Sequence, residues 1–525
     1  MKIVLTAPAT EMSEYDGNPA IAFASGFPKP FYIPITYLRK HFYKPTPVKE
    51  DYSLLYAPLG LRRIEASLVS SGLFSSRDVA IVHPNDLDKV VNEKTRVIGI
   101  SVKDPMGLGY VSLTYSTLIG MGEPINKIEF LDLMNKVKKL RRKYRFRVVI
   151  GGPGVWQFRL INGILDKLGV DAVIEGEGEL VAPIVFRKLA LNDHVERFIK
   201  GLVVPAESIP CIINASIYGA VEITRGCGRG CMFCTPTMQL KRDFYLDKIS
   251  RDIETNLSNG QNKILIVTED LFLYGSRVPW EPNSDSILRL IDRITSYKKN
   301  GLKHVQITHM NLTSIKYRRD LFRQISDKLY EFAWYRLRGR LVNTVEVGIE
   351  TGSPRLMDKY MKGKVIPYKS FEWIDIVIDS LTYMEEFDWI ALGTIIVGLP
   401  GEEPDDAVKT LELVNSIEEQ GLRTLLIPLL FVPLGGCALQ NQPIKSFNDL
   451  CDIHLSIFYE CWKHNVRVYG PDFFIHYSFL KKLLFRILAK LYLVTTSRKY
   501  RWREIIAREL YSEIMRVMNN RGVGY

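Results

Sequence analysis

The sequence predicts an α/β fold. A doubly wound, flavodoxin-like sheet is expected over residues 1–200, a linker over 201–217, further strand–helix alternation over 218–440, and a helical region over 441–525. Three observations predict it. Short apolar runs recur between longer amphipathic stretches, which is the pattern of parallel strands covered by helices on both faces. At 525 residues the chain exceeds what one ordinary core supports. A hydrophobic content of 46% with 24% charged residues is that of a folded globular protein.

Taken in order, Lys2–Pro8 reads as the first buried strand, ended by proline. A loop rich in Gly, Pro and aromatics follows. Pro58-Leu59-Gly60-Leu61 then opens a helix with Leu61, Ile64 and Leu68 on one face. Further strands are expected at Val79–Val82, Val97–Val102, Val148–Ile150 and Ala172–Glu175, the last two running into Gly151-Gly152-Pro153 and Gly176-Glu177-Gly178-Glu179. In such a sheet ligands gather at the carboxyl ends of the strands. Ala220–Ile223, Ile264–Val267, His304–Ile307, Val345–Ile349 and Leu392–Val397 continue the series, with a helix expected at Leu246–Leu257.

The net charge of +12 favours an anionic partner without naming one. Seven cysteines make no secreted disulfide framework in a chain this long, so a reducing cytoplasm is expected. Met1–Pro8 lacks the features of a signal peptide, and the charge-free stretch Thr424–Lys445 carries three prolines, a poor spanning helix. Phe479–Leu493 places Lys482, Arg486 and Lys490 on one face and leucines on the other, followed by Arg498, Lys499, Arg501 and Arg503. Such a helix suits peripheral contact with a membrane surface, although a helix packed on the core with a solvated basic face has the same pattern. Lys136–Arg147 reads as a second solvated basic face.

The chemistry concentrates in Thr224–Thr237, where Cys227, Cys231 and Cys234 stand among glycines at C-x3-C-x2-C spacing. Thiolates on one flexible loop suit an iron–sulfur cluster, and three of them leave one iron of a cubane open to a small molecule. A structural zinc site would want a fourth ligand. The nearest are Cys211 upstream and His304 and His309 downstream.

This spacing, with Phe233 before the last cysteine, resembles the radical S-adenosylmethionine (SAM) superfamily. Val345–Ser353 is similar to the family's G-I-E-S/T-G-S stretch, and Leu392–Glu402 to its late barrel strand. The resemblance implies a partial (β/α) barrel of TIM type and a [4Fe-4S] cluster held by Cys227, Cys231 and Cys234. That cluster cleaves SAM to a 5′-deoxyadenosyl radical that attacks a C–H bond, with no catalytic residue required beyond the cluster and SAM site. It also implies SAM contacts from Phe233, Glu269, Asp270, Glu350, Ser353 and Gly398, and a small electron donor such as ferredoxin or flavodoxin. The N-terminal cues resemble the cobalamin-binding domain of one radical SAM class, which implies cobalamin near Gly151, Gly152 and Glu177. Many domains of the wider cobalamin-binding pattern carry D-x-H-x-x-G after the first strand, a histidine that radical SAM members often lack, and here no histidine follows until His41. Asp104–Gly109 keeps the spacing with Met106 in place of histidine, but after a later strand.

In architecture the chain resembles archaeal tetraether-lipid ring synthases. The expectation is therefore a lipid-modifying enzyme whose hydrophobic, anionic substrate lies near the apolar run Leu425–Leu439, with no DNA partner. The alternatives are a cobalamin-dependent C-methyltransferase, a zinc-stapled binding module without catalysis, and an RNA methylthiolating enzyme. The last would carry extra N-terminal cluster cysteines, and none precedes Cys211.

Overall fold

The computed structural model describes residues 2–30, 33–120, 122–236, 239–278, 280–475 and 501–519, with positions 482, 486, 487, 489, 490 and 493 between the last two segments. Strands β1 (Ile3–Thr6), β2 (Val79–Ile81), β3 (Val97–Ser101), β4 (Arg147–Gly151), β5 (Ala172–Glu175) and β6 (Phe198–Lys200) form one sheet in the order β2-β1-β3-β4-β5-β6. Every pairing in it is parallel. This is the doubly wound order with a switch point between β1 and β3, as the alternating apolar runs predict.

Successive strand residues point to opposite faces, so each strand feeds two cores. Val4, Ile98, Val148 and Ile150 pack with Phe130, Met134 and Val137 of helix Ile125–Lys143. Ile3, Leu5, Val97 and Val149 pack with Leu61 and Leu68 of helix Leu59–Ser70 and Phe186 of helix Ala182–Ala190. Gly99 interrupts β3 for a steric reason: a Cβ there would lie 2.7 Å from both Leu5 and Phe186.

The second half carries β7 (Ala220–Glu222), β8 (Thr224–Arg225), β9 (Arg242–Asp243), β10 (Lys263–Val267), β11 (His304–Ile307), β12 (Tyr335–Leu337), β13 (Arg340–Glu350), β14 (Trp389–Val397) and β15 (Leu425–Leu430). β7, β10 and β11 pair in parallel, as do β13, β14 and β15, and a parallel bridge between His309 and Glu346 joins the two groups. Ile264, Ile266, Val305, Val347 and Ile395 face outward into one large core with the helices Leu246–Ser258, Ser284–Ser296, Arg319–Leu329, Trp373–Glu386 and Pro404–Glu419. Leu265, Gln306, Thr344, Glu346 and Thr394 face inward and are half-buried. The sheet is thus a curved βα half-barrel around a polar lumen.

Its last strand would present unpaired backbone at the edge, a liability for any sheet. Side chains cover it instead. Asn465 of helix Asp452–Ile475 donates to the Leu426 carbonyl (2.6 Å) and accepts from its N–H (2.9 Å). From the first half, helix Tyr110–Ile119 supplies Thr114, whose hydroxyl accepts from Leu430 N–H at 2.9 Å, and Tyr115, whose hydroxyl donates to Pro428 O at 3.0 Å. Helix Arg501–Asn519 lies on helix Asp452–Ile475, with Trp502 stacked on Phe447 at 4.6 Å.

Charges tie the two halves together as well. Arg63, 2% exposed, donates to Asp252 at 2.6 Å. Arg225 meets Glu177, Glu179 and Glu222, and Arg242 donates to both oxygens of Glu177. The expected basic face at Lys136–Arg147 is partly engaged, Lys136 with Asp88 and Arg141 and Arg147 with Asp171, while Lys139, Arg142, Lys143 and Arg145 are exposed. Most of the expected basic helix Phe479–Leu493 lies outside the described residues. Among the described residues no helix is long and apolar enough to cross a membrane.

Candidate active site

The cysteine loop begins where β8 ends. Gly226, Gly228 and Gly230 take φ of +78°, +75° and +77°, a conformation that side chains disfavour, so they let the chain coil tightly between the cysteines. Gly226 also packs closely, since a Cβ there would lie 2.7 Å from Leu240 O. The loop is pinned from several sides. Met232 N–H donates to Tyr360 O (2.9 Å), Leu439 N–H to Met232 O (3.1 Å), and the Thr235 hydroxyl to Gly435 O (3.0 Å). Arg229, 6% exposed, donates to Asp270 at 2.6 Å and to Ser314 at 3.0 Å.

Cys231 is buried; Cys227 and Cys234 are half-buried. Burial pushes the Cys227 thiol up to about 11, opposed by the Arg229 guanidinium. Burial also raises the Cys231 thiol, opposed by the Lys364 ammonium. A metal replaces the thiol proton outright, and the two cations favour the thiolates that would remain. Among the described residues no three His, Cys, Asp or Glu side chains gather as a single-ion site. The donor set, three soft thiols on one glycine-rich loop beside two cations, fits an iron–sulfur cluster.

Lys364 is the centre of this electrostatics. Its ammonium lies 2.5 Å from Glu350 Oε1, with the two side chains 10% and 8% exposed. Burial disfavours its charge, but Glu350, Cys231 and Cys234 overcome that and raise its pKa. Glu350 sits at φ +64° where the register between β13 and β14 slips, a strained position for a non-glycine residue. Gly348 makes room for the pair, because a Cβ there would collide with both side chains. Tyr110, from the first half, donates to Phe233 O at 3.4 Å, and its phenol is raised by burial and by Glu350, Cys437 and Cys234.

The other residues expected to contact SAM divide. Phe233 is buried in the main core. Among the described residues, Glu269 shows no hydrogen bond or ion pair, and burial raises its carboxyl pKa despite His309 nearby. Asp270 is fully engaged: besides Arg229 it accepts from Phe272 N–H (3.1 Å) and Asn311 N–H (3.2 Å). Ser353 caps helix Pro354–Tyr360, accepting from Leu356 N–H at 3.2 Å and donating to Asp406. Gly398, at φ +86°, starts a turn in which its N–H and that of Leu399 donate to Glu402 at 2.5 and 3.1 Å.

Of the residues expected near cobalamin, Gly151 has room for a Cβ in ordinary contact with Ile174 O at 3.8 Å, and Gly152, at φ +101°, packs on Val102. Glu177 is taken up by Arg225 and Arg242. The carboxyl edge of the first sheet nevertheless reaches the cysteine loop. Tyr110 follows β3, and Trp156, following β4, fills the space above Gly435, whose carbonyl holds Thr235. The apolar run Leu425–Leu439, expected to meet an acyl chain, is mostly interior: Leu426, Leu429, Leu430, Phe431, Val432, Cys437 and Leu439 are buried.

The lumen holds a second charged group, at a histidine that the sequence marked only as a distant candidate for a zinc ligand. His309 Nδ1 lies 3.0 Å from Thr268 O and Nε2 lies 3.3 Å from Glu346. Both partners only accept, so both ring nitrogens carry protons. Burial opposes the charge, but Glu346 and Glu269 raise the imidazole pKa from 6.5 to about 9. The stabilisation is therefore complete below about pH 6.5 and is lost as pH rises through about 9. Denaturant midpoints measured from pH 6 to 10 should fall over that window, and Glu346→Gln should flatten the fall.

The signature of the radical SAM superfamily matches residues 221–414. Residues 221–414 form a radical SAM domain. Such a domain implies a [4Fe-4S] cluster and SAM. Two curated relatives match part of the chain. The ribosomal protein uS12 methylthiotransferase RimO of Thermotoga petrophila is 25% identical over 204 residues, 38% of this chain and 42% of that protein. The tRNA-2-methylthio-N(6)-dimethylallyladenosine synthase of Clostridium tetani is 25% identical over 223 residues, 42% and 44% of the two chains. The chain thus spans less than half the length of these relatives. A longer likeness is to TsrM of Kitasatospora setae, a radical S-adenosylmethionine methyltransferase solved with its tryptophan substrate and a SAM analogue. It has a TM-score of 0.53 and 12% identity, and covers 84% of this chain and 76% of that one. A second TsrM structure, with cobalamin and a [4Fe-4S] cluster bound, has a TM-score of 0.52 and also 12% identity. At that identity the likeness is one of fold.

Lys364, Arg229, Tyr110, His309 and Glu346 were not foreseen as parts of the site. Lys364 lies in a Lys-Gly-Lys run that reads as a solvated turn. Tyr110 is more than a hundred residues upstream of the cysteines.

Proposed function

We propose that this radical SAM enzyme transfers a methyl group to carbon in a polar substrate held in the half-barrel lumen. The observation that carries the reading is the docking of the first sheet's carboxyl edge on the cysteine loop through Tyr110 and Trp156. A group held on that edge would face the cluster and the SAM that binds it. The group expected there is cobalamin, as in the solved neighbour; it would supply a transferable methyl group. The loops after β1, β3 and β4 contain no histidine, so an imidazole would not ligate cobalt from them.

This chain's own contribution is to hold charge and exclude water. Cys227, Cys231 and Cys234 would ligate the cluster, and Arg229 and Lys364 would offset their negative charge. Glu269, the unengaged carboxylate of the expected pair, would receive the SAM amino group. The turn at Gly398 would receive its adenine. The lumen wall of Gln306, His309, Thr344 and Glu346 favours a hydrogen-bonding substrate over an acyl chain, because an acyl chain would strip water from these polar groups without offering them a hydrogen bond. With Leu425–Leu439 mostly interior, the lipid-ring expectation loses its main support.

The test is the nucleosides formed when anaerobically reconstituted protein is incubated with SAM, a reductant, cobalamin and fractionated cell extract. Equal amounts of 5′-deoxyadenosine and S-adenosylhomocysteine, with the SAM methyl group found in a polar product, are expected. 5′-Deoxyadenosine alone, with hydrogen lost from the lipid fraction, would overturn methyl transfer.

A further inference from the structure

The cysteine loop is covered along most of its length. Tyr110 lies against it from the first half, Tyr360 and Leu439 hold the backbone of Met232, and Cys231 and Phe233 are turned into the main core. Its exposed edge is Gly228 and Gly230, on either side of Arg229.

What borders that edge is basic. A Cβ on Gly363 would collide with Arg229 O, so the segment after helix Pro354–Tyr360 packs directly on the exposed turn. From Pro354 to Phe371 the sequence carries five cations and one acid. Two of the cations are engaged, Arg355 by Asp406 and Lys364 by Glu350. Lys359, Lys362 and Lys369 are exposed, and none of them has an ion-pair partner among the described residues. The single acid, Asp358, accepts from the Ser370 hydroxyl at 2.6 Å. Phe371, 74% exposed, stands beside them. A bare aromatic with a charged rim is the composition of an interface anchor.

The cluster must gain an electron before it cleaves SAM, and electron transfer falls steeply with distance. A donor's cofactor therefore has to rest against the least covered part of the loop. We propose that Lys359, Lys362, Lys369 and Phe371 dock a small acidic redox protein, which passes one electron inward across the Gly228–Gly230 edge. The donor is oxidised by one electron and the cluster is reduced by one; no bond forms or breaks. Carboxylates of the donor pair with the three lysines, and Phe371 supplies the apolar contact. A nucleic acid would use the same lysines, but nothing would then require them to border the cluster loop. The proposal rests on the cluster alone and holds whichever carbon the radical attacks.

The test uses the full-length chain with its cluster reconstituted anaerobically, without SAM or substrate. The probe is flavodoxin, a small acidic FMN protein. Fluorescently labelled flavodoxin should bind the parent more weakly as salt is added, and Lys359→Glu combined with Lys362→Glu should raise Kd about tenfold or more at low ionic strength. Electron transfer is followed in its downhill direction, from the dithionite-reduced, desalted chain to oxidised flavodoxin. Loss of the reduced cluster and growth of the flavin semiquinone report the same electron, and the double variant should slow both about tenfold or more. A small neutral quinone, which needs no docking surface, should oxidise parent and variant at equal rates, showing that the variant keeps its cluster. Lys139→Glu combined with Arg142→Glu makes the same change in net charge on the exposed face of helix Ile125–Lys143. That pair should leave flavodoxin binding within about twofold of the parent. Equal weakening by the two pairs, or no flavodoxin binding by the parent, would overturn the proposal. So would polyuridylate binding that the first pair abolishes while flavodoxin binding is unchanged, which would assign the patch to RNA.

Discussion

Chains carrying Cys227→Ala, Cys231→Ala or Cys234→Ala are expected to purify without a brown chromophore and to form no detectable 5′-deoxyadenosine from SAM. The expectation is absolute rather than graded, because two thiolates cannot hold a cubane cluster in the register that leaves one iron open. The loop itself should survive. Its pins include backbone groups, Arg229 and Thr235, which these substitutions leave in place. Iron content, the visible spectrum and the nucleoside products check it. Cys211→Ala, away from the loop, should retain iron and cleavage, and normal turnover in any of the three loop variants would sink the cluster assignment.

The next largest effect belongs to Lys364→Met. Removing the ammonium leaves Glu350 buried without its cation, a loss of about 3–5 kcal/mol, whereas replacing both members with apolar residues is far milder. Chemical denaturation should therefore show the single variant well below the parent, and Lys364→Met combined with Glu350→Leu partly restored. The same variant has a second readout. A cation beside cluster thiolates favours the more negative, reduced state, so its loss should lower the cluster's reduction potential in an EPR-monitored titration. Unchanged stability and potential together would mean that the pair is not the charge centre the geometry describes.

Much of the architecture was legible in the sequence. The apolar runs at Val97–Val102 and Val148–Ile150 are strands because residues buried on both faces must be continuously apolar, and runs this short and rich in β-branched residues suit a strand better than a buried helix. The cysteine loop was legible because ligand spacing and positive-φ glycines are local properties. The site's electrostatics were not. Lys364 belongs beside Glu350 only because β13 slips its register there, and no periodicity reports a slip. Asp270 and Ser353 show the opposite error. A polar residue at a strand end has the same signature whether it meets a ligand, an arginine or the first turn of the next helix. Asp270 is engaged by Arg229, and Ser353 by helix Pro354–Tyr360. The apolar run after Leu425 misled for a related reason, since hydrophobicity alone does not distinguish the wall of a core from the wall of an acyl channel.

The helix Tyr110–Ile119 covers the edge of β15, and the residues it joins are far apart in the chain: Thr114 and Leu430 are separated by 316 positions. At about 5–20 residues per second, roughly 15–60 s of synthesis separates the appearance of the helix from that of the strand it covers. Through that interval Phe27, already made, can pack on Tyr115 as it does in the finished fold at 4.5 Å, but the side of the helix that Thr114 and Tyr115 turn to β15 lacks its partner. The nascent chain thus carries a partly uncovered helix face for about 15–60 s, a natural point for chaperone engagement.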